Sequence, residues 1–145
     1  MANTVKLKID GIDVSVEAGK TVLDAAKELN IHIPTLCHHE DLCVAGNCRV
    51  CVVEQEGARN LVASCAMPAQ DGMVIHTNTH KVRNARRHVV ELLLSEHNAD
   101  CTKCYKNTKC ELQSLANEMV MGDHMFIDLV PEKNYTVDQQ SPSII

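Results

Sequence analysis

Eight cysteines in 145 residues constrain this chain more than any other feature, because they fall into two closely spaced groups. Cys37, Cys43, Cys48, Cys51 and Cys65 form the first, and Cys101, Cys104 and Cys110 the second. The Met1-to-Lys8 start contains no apolar run that would serve as a signal peptide, so a secreted disulfide scaffold is not expected and a cytoplasmic location is. In a reducing compartment, thiols at this spacing point to metal. The composition makes the same demand. With one Phe, two Tyr and no Trp, the core has to be built from Val, Ile, Leu, Ala and Met, a small apolar payload for a chain long enough to divide in two. Metal binding would add folding energy that apolar burial does not supply.

Residues 1–80 read as a small mixed sheet embracing one helix. Thr4 to Ile9 and Ile12 to Val16 alternate apolar and polar side chains around Asp10-Gly11, a hairpin signature. Gly19 ends the second strand. Thr21 with Asp24 three residues on predicts a capped helix whose apolar face is Val22, Ala25, Ala26 and Leu29. A loop containing Pro34 and Gly46 follows, then Val50 to Glu54, Leu61 to Ser64 and Met73 to Thr77 read as short strands. After Thr79 the period becomes helical, with Val82, Ala85, Val89 and Leu92/Leu93 recurring up to about His97, which places a domain boundary near residue 80. Thr108-x-x-Glu111 predicts a capping box for a second helix from Cys110 to Gly122. The end of the chain, with Pro131 and Pro142, reads as a tail or linker. There is no internal repeat, no G-x-G-x-x-G after a strand and no Walker loop, so no recognised NAD or ATP site is expected. Apolar runs such as Leu92-Leu93-Leu94 are far too short to cross a bilayer.

The spacing within each cysteine group narrows the chemistry. Cys37-x10-Cys48-x2-Cys51-x13-Cys65 offers four thiolates, three from one loop and one from the end of a later strand. Gly46-Asn47 just before Cys48 permits a tight turn that aims backbone N–H groups at sulfur, as a buried anionic cluster requires. Cys43-x4-Cys48-x2-Cys51 also fits the plant-type ferredoxin spacing, with Cys37 left over; the short connection to Cys65 favours Cys37 and leaves Cys43 spare. In the second group, His97-x3-Cys101-x2-Cys104-x5-Cys110 sets an imidazole about one helical turn before the first thiol. A histidine at a helix end is ordinarily a favourable charge there. Three cysteines in need of a fourth partner make His97 a candidate ligand instead, with Asp100 a neighbouring alternative. A set of three cysteines and one histidine equally suits tetrahedral zinc. The remaining histidines, His32, His38, His39, His76, His80, His88 and His124, read as surface or core residues. His38 and His39 beside Cys37 lack the spacing of a Rieske centre.

The runs CHHEDLCVAGNCRVCVVE, LVASC and ARRHVVELLLSEHNADCTKCYKNTKCELQ resemble the N-terminal iron–sulfur segment shared by three enzyme families. These are the large iron–sulfur subunit of NADH:quinone oxidoreductase, the alpha subunit of NAD-linked formate dehydrogenase, and NAD(P)-linked [FeFe]-hydrogenases. The resemblance covers roughly residues 1–125. It implies an α+β chain with a β-grasp [2Fe-2S] ferredoxin domain over residues 1–80, a small helical [4Fe-4S] domain over 81–125, and a tail over 126–145. The implied ligands are Cys37, Cys48, Cys51 and Cys65 for the first cluster and His97, Cys101, Cys104 and Cys110 for the second; Cys43 departs from the pattern. The closing run DQQSPSII resembles the stretch that in [FeFe]-hydrogenase catalytic subunits precedes further ferredoxin-like motifs and the hydrogen-activating domain.

The expected function is therefore an electron-transfer module, without a catalytic site of its own, that relays electrons between an NAD(P)H/flavin partner and a hydrogen-activating site. Plant-type [2Fe-2S] centres near roughly −400 mV suit that task. The equivalent module of NADH:quinone oxidoreductase or of formate dehydrogenase is the alternative, and a zinc-stabilised interaction module is the alternative from another class. Expected partners are a flavin/NAD(P)-binding subunit and other iron–sulfur or hydrogenase subunits. Nucleic acid and membrane insertion are not expected, since the net charge is −5 and aromatic interleaving is lacking. That charge is uneven: −4 over residues 1–80, +4 over 81–110 and −5 over 111–145. Arg83, Arg86 and Arg87 open a helix, where cations oppose the macrodipole. They read either as a solvated face or as charges that offset nearby clusters or form a docking patch.

Overall fold

The alternating segments pair as their periodicity dictates. In the computed structural model, which describes residues 4–97 and 100–119, the elements are β1 (Thr4–Ile9), β2 (Ile12–Glu17), α1 (Val22–Glu28), β3 (Val52–Gln55), β4 (Val62–Ala63), β5 (Val74–His76), α2 (His80–Ser95) and α3 (Glu111–Met119). The strands form one sheet in the order β2-β1-β5-β3-β4, with β1 and β5 parallel and the other neighbours antiparallel. Asp10 and Gly11 take φ of 48° and 87°, as a two-residue hairpin requires. The Asp10 carboxylate then accepts from the Thr77 N–H (2.8 Å) and the Thr77 hydroxyl, fastening the turn to the end of β5.

One face of the sheet buries Ile9, Val53 and Ile75 against Val22, Leu23 and Ala26 of α1. The capping box at the start of α1 is complete: the Asp24 N–H donates to Thr21 Oγ1 (3.2 Å) and the Thr21 N–H donates to Asp24 Oδ2 (2.9 Å). Two further N–H groups of that first turn reach outside the helix. Val22 donates to the Met67 carbonyl (2.9 Å) and Leu23 to the Ser64 carbonyl (3.1 Å). The start of α1 thus grips the segment on either side of Cys65, and satisfies donors that a helix end otherwise leaves open.

A second core lies under α2. Val50, Val90 and Leu115 are buried there, with Leu36, Cys48 and Leu112 among the side chains packed around them. Leu36, Cys48 and Val50 belong to the loop between α1 and β3, so this loop contributes Cys51 to the first core and Cys48 to the second. The Thr79 hydroxyl, which caps α2 by accepting from the Val82 N–H (3.2 Å), donates to Glu54 Oε2 (2.8 Å) and ties the helix to β3.

The expected capping box at Thr108 does not form. Thr108 has φ of 68° and α3 begins only at Glu111. Gln113 takes over the role, its side-chain oxygen accepting from the Thr108 N–H (3.0 Å) while its amide donates to Asn107 Oδ1 (3.0 Å). The expected end of this helix at Gly122 and the tail over 126–145 lie outside the described residues. No helix among the described residues is long and apolar enough to cross a membrane.

Burial pushes the Asp24 carboxyl up, but the Thr21 N–H and hydroxyl, with Lys20 and Lys27, more than offset this and hold it below its ordinary 3.8. A depressed folded pKa gives stability that is complete above the ordinary value and disappears as pH falls through the folded one. Replacing Thr21 by Ala is expected to destabilise the fold by about 1 kcal/mol at neutral pH. Denaturant titrations repeated below pH 4 should show the difference between the two proteins shrinking.

Candidate iron–sulfur sites

Two cysteine pairs, Cys51 with Cys65 and Cys37 with Cys48, lie where the two cores adjoin. Cys51 immediately precedes β3 and Cys65 follows β4, and both are buried, with their Sγ atoms 3.3 Å apart. Their backbones are stitched together through Ser64, whose N–H (3.2 Å) and hydroxyl (2.8 Å) both donate to the Cys51 carbonyl. Cys37 and Cys48 are half-buried on the long loop, and the Cys48 N–H donates to Cys37 Sγ (3.4 Å). Gly46 makes the turn that aims this N–H, at φ of 62°. An added Cβ there would meet Ala66 only at 3.8 Å, so the backbone conformation rather than lack of space asks for glycine. Cys43 sits on the exposed part of the loop.

The electrostatics of this group are those of neighbouring sulfurs, one pair of them in contact. The Cys48 N–H, helped by that of Asn47, holds the Cys37 thiol below its ordinary value in spite of partial burial. Burial, the adjoining Cys51 thiol, and the charges of Cys51, Cys37 and Cys48 push the Cys65 thiol up to about 12. Each thiolate makes the next harder to form, so the four ionise together only around positive charge. Iron supplies that charge and takes thiolate ligands, so the donor set fits an iron–sulfur cluster. Among the described residues no three His, Cys, Asp or Glu side chains focus on one point as the ligands of a single ion do. A two-iron group takes its thiolates in pairs and asks for no such focus.

The second set occupies one end of a helical hairpin. His97 is exposed just beyond α2, its N–H donating to the Leu94 carbonyl (3.1 Å). Cys101 and Cys104 share a turn closed by the Cys104 N–H on the Cys101 carbonyl (3.2 Å). Cys110 precedes α3, and its carbonyl accepts from the Ser114 N–H (3.0 Å). Packing of α2 against α3 through Val90 and Leu115 brings the end of one helix and the start of the other together. Asp100 is already engaged, with Oδ1 accepting from the Thr102 hydroxyl (3.0 Å) and Oδ2 paired with Lys103 (3.0 Å).

Two residues that matter here, Ser64 and His38, carried no legible signal. Ser64 positions the Cys51 backbone. His38, expected on the surface or in the core, has both ring nitrogens buried without a partner among the described residues. The three arginines, grouped together by the sequence, part company: Arg83 donates to the Asn78 carbonyl (2.8 Å), Arg87 pairs with Glu91 (2.9 Å), and Arg86 turns inward and donates from Nε (3.1 Å) and Nη2 (2.9 Å) to the Val52 carbonyl.

A sheet of this size with one helix on its face and a thiol-bearing loop at its margin is the architecture of a ferredoxin-like electron carrier. Residues 2–80 match the model of the 2Fe-2S iron-sulfur cluster binding domain, and the chain belongs to that family. Residues 86–124 match the NADH-ubiquinone oxidoreductase-G iron-sulfur binding region. The chain accordingly carries one [2Fe-2S] and one [4Fe-4S] cluster and is an iron–sulfur electron-transfer module.

Among curated relatives, it is 56% identical over 115 residues to the NADP-reducing hydrogenase subunit HndD of Solidesulfovibrio fructosivorans, an alignment covering 76% of this chain and 20% of the relative. It is 45% identical over 109 residues to the mitochondrial 78 kDa subunit of NADH-ubiquinone oxidoreductase of Candida albicans, covering 75% of this chain and 15% of that one. The chain thus spans a fifth or less of the length of these two relatives. Among solved structures, an NAD+-reducing [NiFe]-hydrogenase in the H2-reduced state superposes with a TM-score of 0.80 at 35% identity, over 90% of this chain and 55% of that one.

With Cys37 Sγ accepting from the Cys48 N–H and Cys43 exposed, Cys43→Ser is expected to leave the [2Fe-2S] absorption and EPR spectra intact. Cys37→Ser should abolish or severely distort them. The opposite result would give the fourth position to Cys43.

Proposed function

We propose that Cys37, Cys48, Cys51 and Cys65 hold the [2Fe-2S] cluster, that His97, Cys101, Cys104 and Cys110 hold the [4Fe-4S] cluster, and that the chain relays electrons within an NAD(P)-linked [FeFe]-hydrogenase. The electrons pass between an NAD(P)H/flavin-bearing subunit and a hydrogen-activating site. The observation that carries this reading is the pairing of Cys51 with Cys65 in sulfur contact and of Cys37 with Cys48 through the Cys48 N–H. Engagement of both Asp100 oxygens by Thr102 and Lys103 supports His97 as the fourth partner of the second set. Residues 1–80 serve the first cluster and 81–125 the second, although Leu36, Cys48 and Val50 of the first part pack under α2, and the location is cytoplasmic.

Iron–sulfur clusters supply one-electron transfer with little change in geometry. The rest of the task falls to the chain. Burial of Cys51 and Cys65 keeps water from that side of the site, and the Cys48 N–H stabilises negative charge on Cys37 Sγ. The hydrogenase parent is favoured by 56% identity with the NADP-reducing hydrogenase subunit, against 45% with the NADH-ubiquinone oxidoreductase subunit. The equivalent module of NADH:quinone oxidoreductase is the second reading, favoured by the match over residues 86–124.

Iron and sulfide analysis of anaerobically purified protein should return the content of one two-iron and one four-iron cluster, with both seen by low-temperature EPR. Stoichiometric zinc with iron for the first site alone would overturn the second assignment. His97 can be tested separately. Exchanging a neutral imidazole for a thiolate adds negative charge, so His97→Cys should keep a [4Fe-4S] cluster at a lower midpoint potential, and His97→Ala should make it labile. An unchanged midpoint in the first together with an intact cluster in the second would remove His97 from the ligand set.

A further inference from the structure

Arg86 is a cation in a place that charges avoid. It is 7% exposed, lodged between α2 and β3, and its Nε and Nη2 both donate to the carbonyl of Val52, the residue after Cys51. Among the described residues no carboxylate forms an ion pair with it. Arg83 and Arg87, on the same helix, find partners in Asn78 and Glu91 instead. A buried cation without a counter-ion is strongly unfavourable, and a neutral carbonyl repays only part of its lost hydration. Burial accordingly pulls the Arg86 guanidinium below its ordinary value. The Cys51 sulfur is the foremost group acting the other way, ahead of Asp10 and Glu118. The negative charge that answers Arg86 is therefore the thiolate set gathered around Cys51.

We infer that Arg86 is the counter-charge of the [2Fe-2S] site, a positioning residue that holds the Val52 carbonyl and whose buried charge raises that cluster's midpoint potential. The inference rests on the ligand reading given above. The reduced site carries one more negative charge than the oxidised one, so a fixed cation close by stabilises the reduced form more. Surface arginines would be screened by salt and solvent, whereas a buried one is screened much less. Holding the Val52 carbonyl also accounts for the direction in which Arg86 points, since any other course would leave its donors unpaired in the interior.

Charge and tether separate experimentally. Arg86→Lys keeps the charge, Arg86→Gln keeps a side-chain donor without charge, and Arg86→Met keeps neither. Redox titrations of the cluster-loaded protein, followed by EPR, should show the [2Fe-2S] midpoint shifted to lower potential in the Gln and Met variants and close to the parent in the Lys variant. The [4Fe-4S] midpoint should move less in all three. An intact [2Fe-2S] signal at the parental midpoint in Arg86→Gln would overturn the inference, and so would an Arg86→Lys midpoint as low as that of Arg86→Gln. Should Arg86→Met fail to fold, the Lys and Gln variants decide the matter. Absence of a [2Fe-2S] signal from the unsubstituted protein would refute the ligand reading itself, which a mere failure of the midpoint to shift would not.

Discussion

Gathering four ionisable sulfurs into one place works against the electrostatics of the chain that carries them. Each added thiolate repels the others, and burial of Cys51 and Cys65 removes the water that would soften the repulsion. The upward push on the Cys65 thiol is the local sign of that conflict, and the N–H groups aimed at Cys37 are a local answer to it. The structure relies on a group of positive charge to resolve what remains. With so few aromatic side chains to bury, apolar packing alone has little surplus with which to force the sulfurs together.

The backbone does much of the gathering. Cys65 is held because the first turn of α1 has N–H groups to spare and gives two of them to carbonyls flanking that cysteine. Cys51 is held because its carbonyl receives Ser64 on one side and its neighbour Val52 receives Arg86 on the other. Cys48 and Cys37 are held by a loop whose apolar residues, Leu36 and Val50, are packed under α2. The helix that presents His97 therefore also packs upon the loop bearing half of the first set of sulfurs. The two sites are mechanically joined through α2.

Local signals in the sequence were reliable where the interaction they encode is local. The hairpin at Asp10-Gly11 and the capping box at Thr21 and Asp24 each depend on residues within a few positions, and both form as expected. Thr108-x-x-Glu111 has the same pattern and fails, because Thr108 takes a left-handed conformation and Gln113 reaches back to its N–H instead. A pattern of side chains does not encode backbone conformation at a turn packed with cysteines. The pairing of Cys37 with Cys48 and of Cys51 with Cys65 agrees with their spacing, because thiols at metal-binding spacing have few other uses. The inward turn of Arg86 was not legible, since nothing in RNARRHVV distinguishes the arginine that enters the interior from the other two. That distinction depends on a strand thirty-four positions away.

The sharing of one loop between two cores bears on how far this segment is a portable unit. A designer who lifted out the sheet portion as a miniature redox protein would strip the cover from Leu36, Cys48 and Val50. That would open the least buried flank of the sulfur group to solvent and oxygen. The helical portion taken alone would lose the apolar floor on which Val90 and Leu115 rest. A cut between the two portions therefore costs each of them part of its packing, whereas a cut at the borders of the pair spares both.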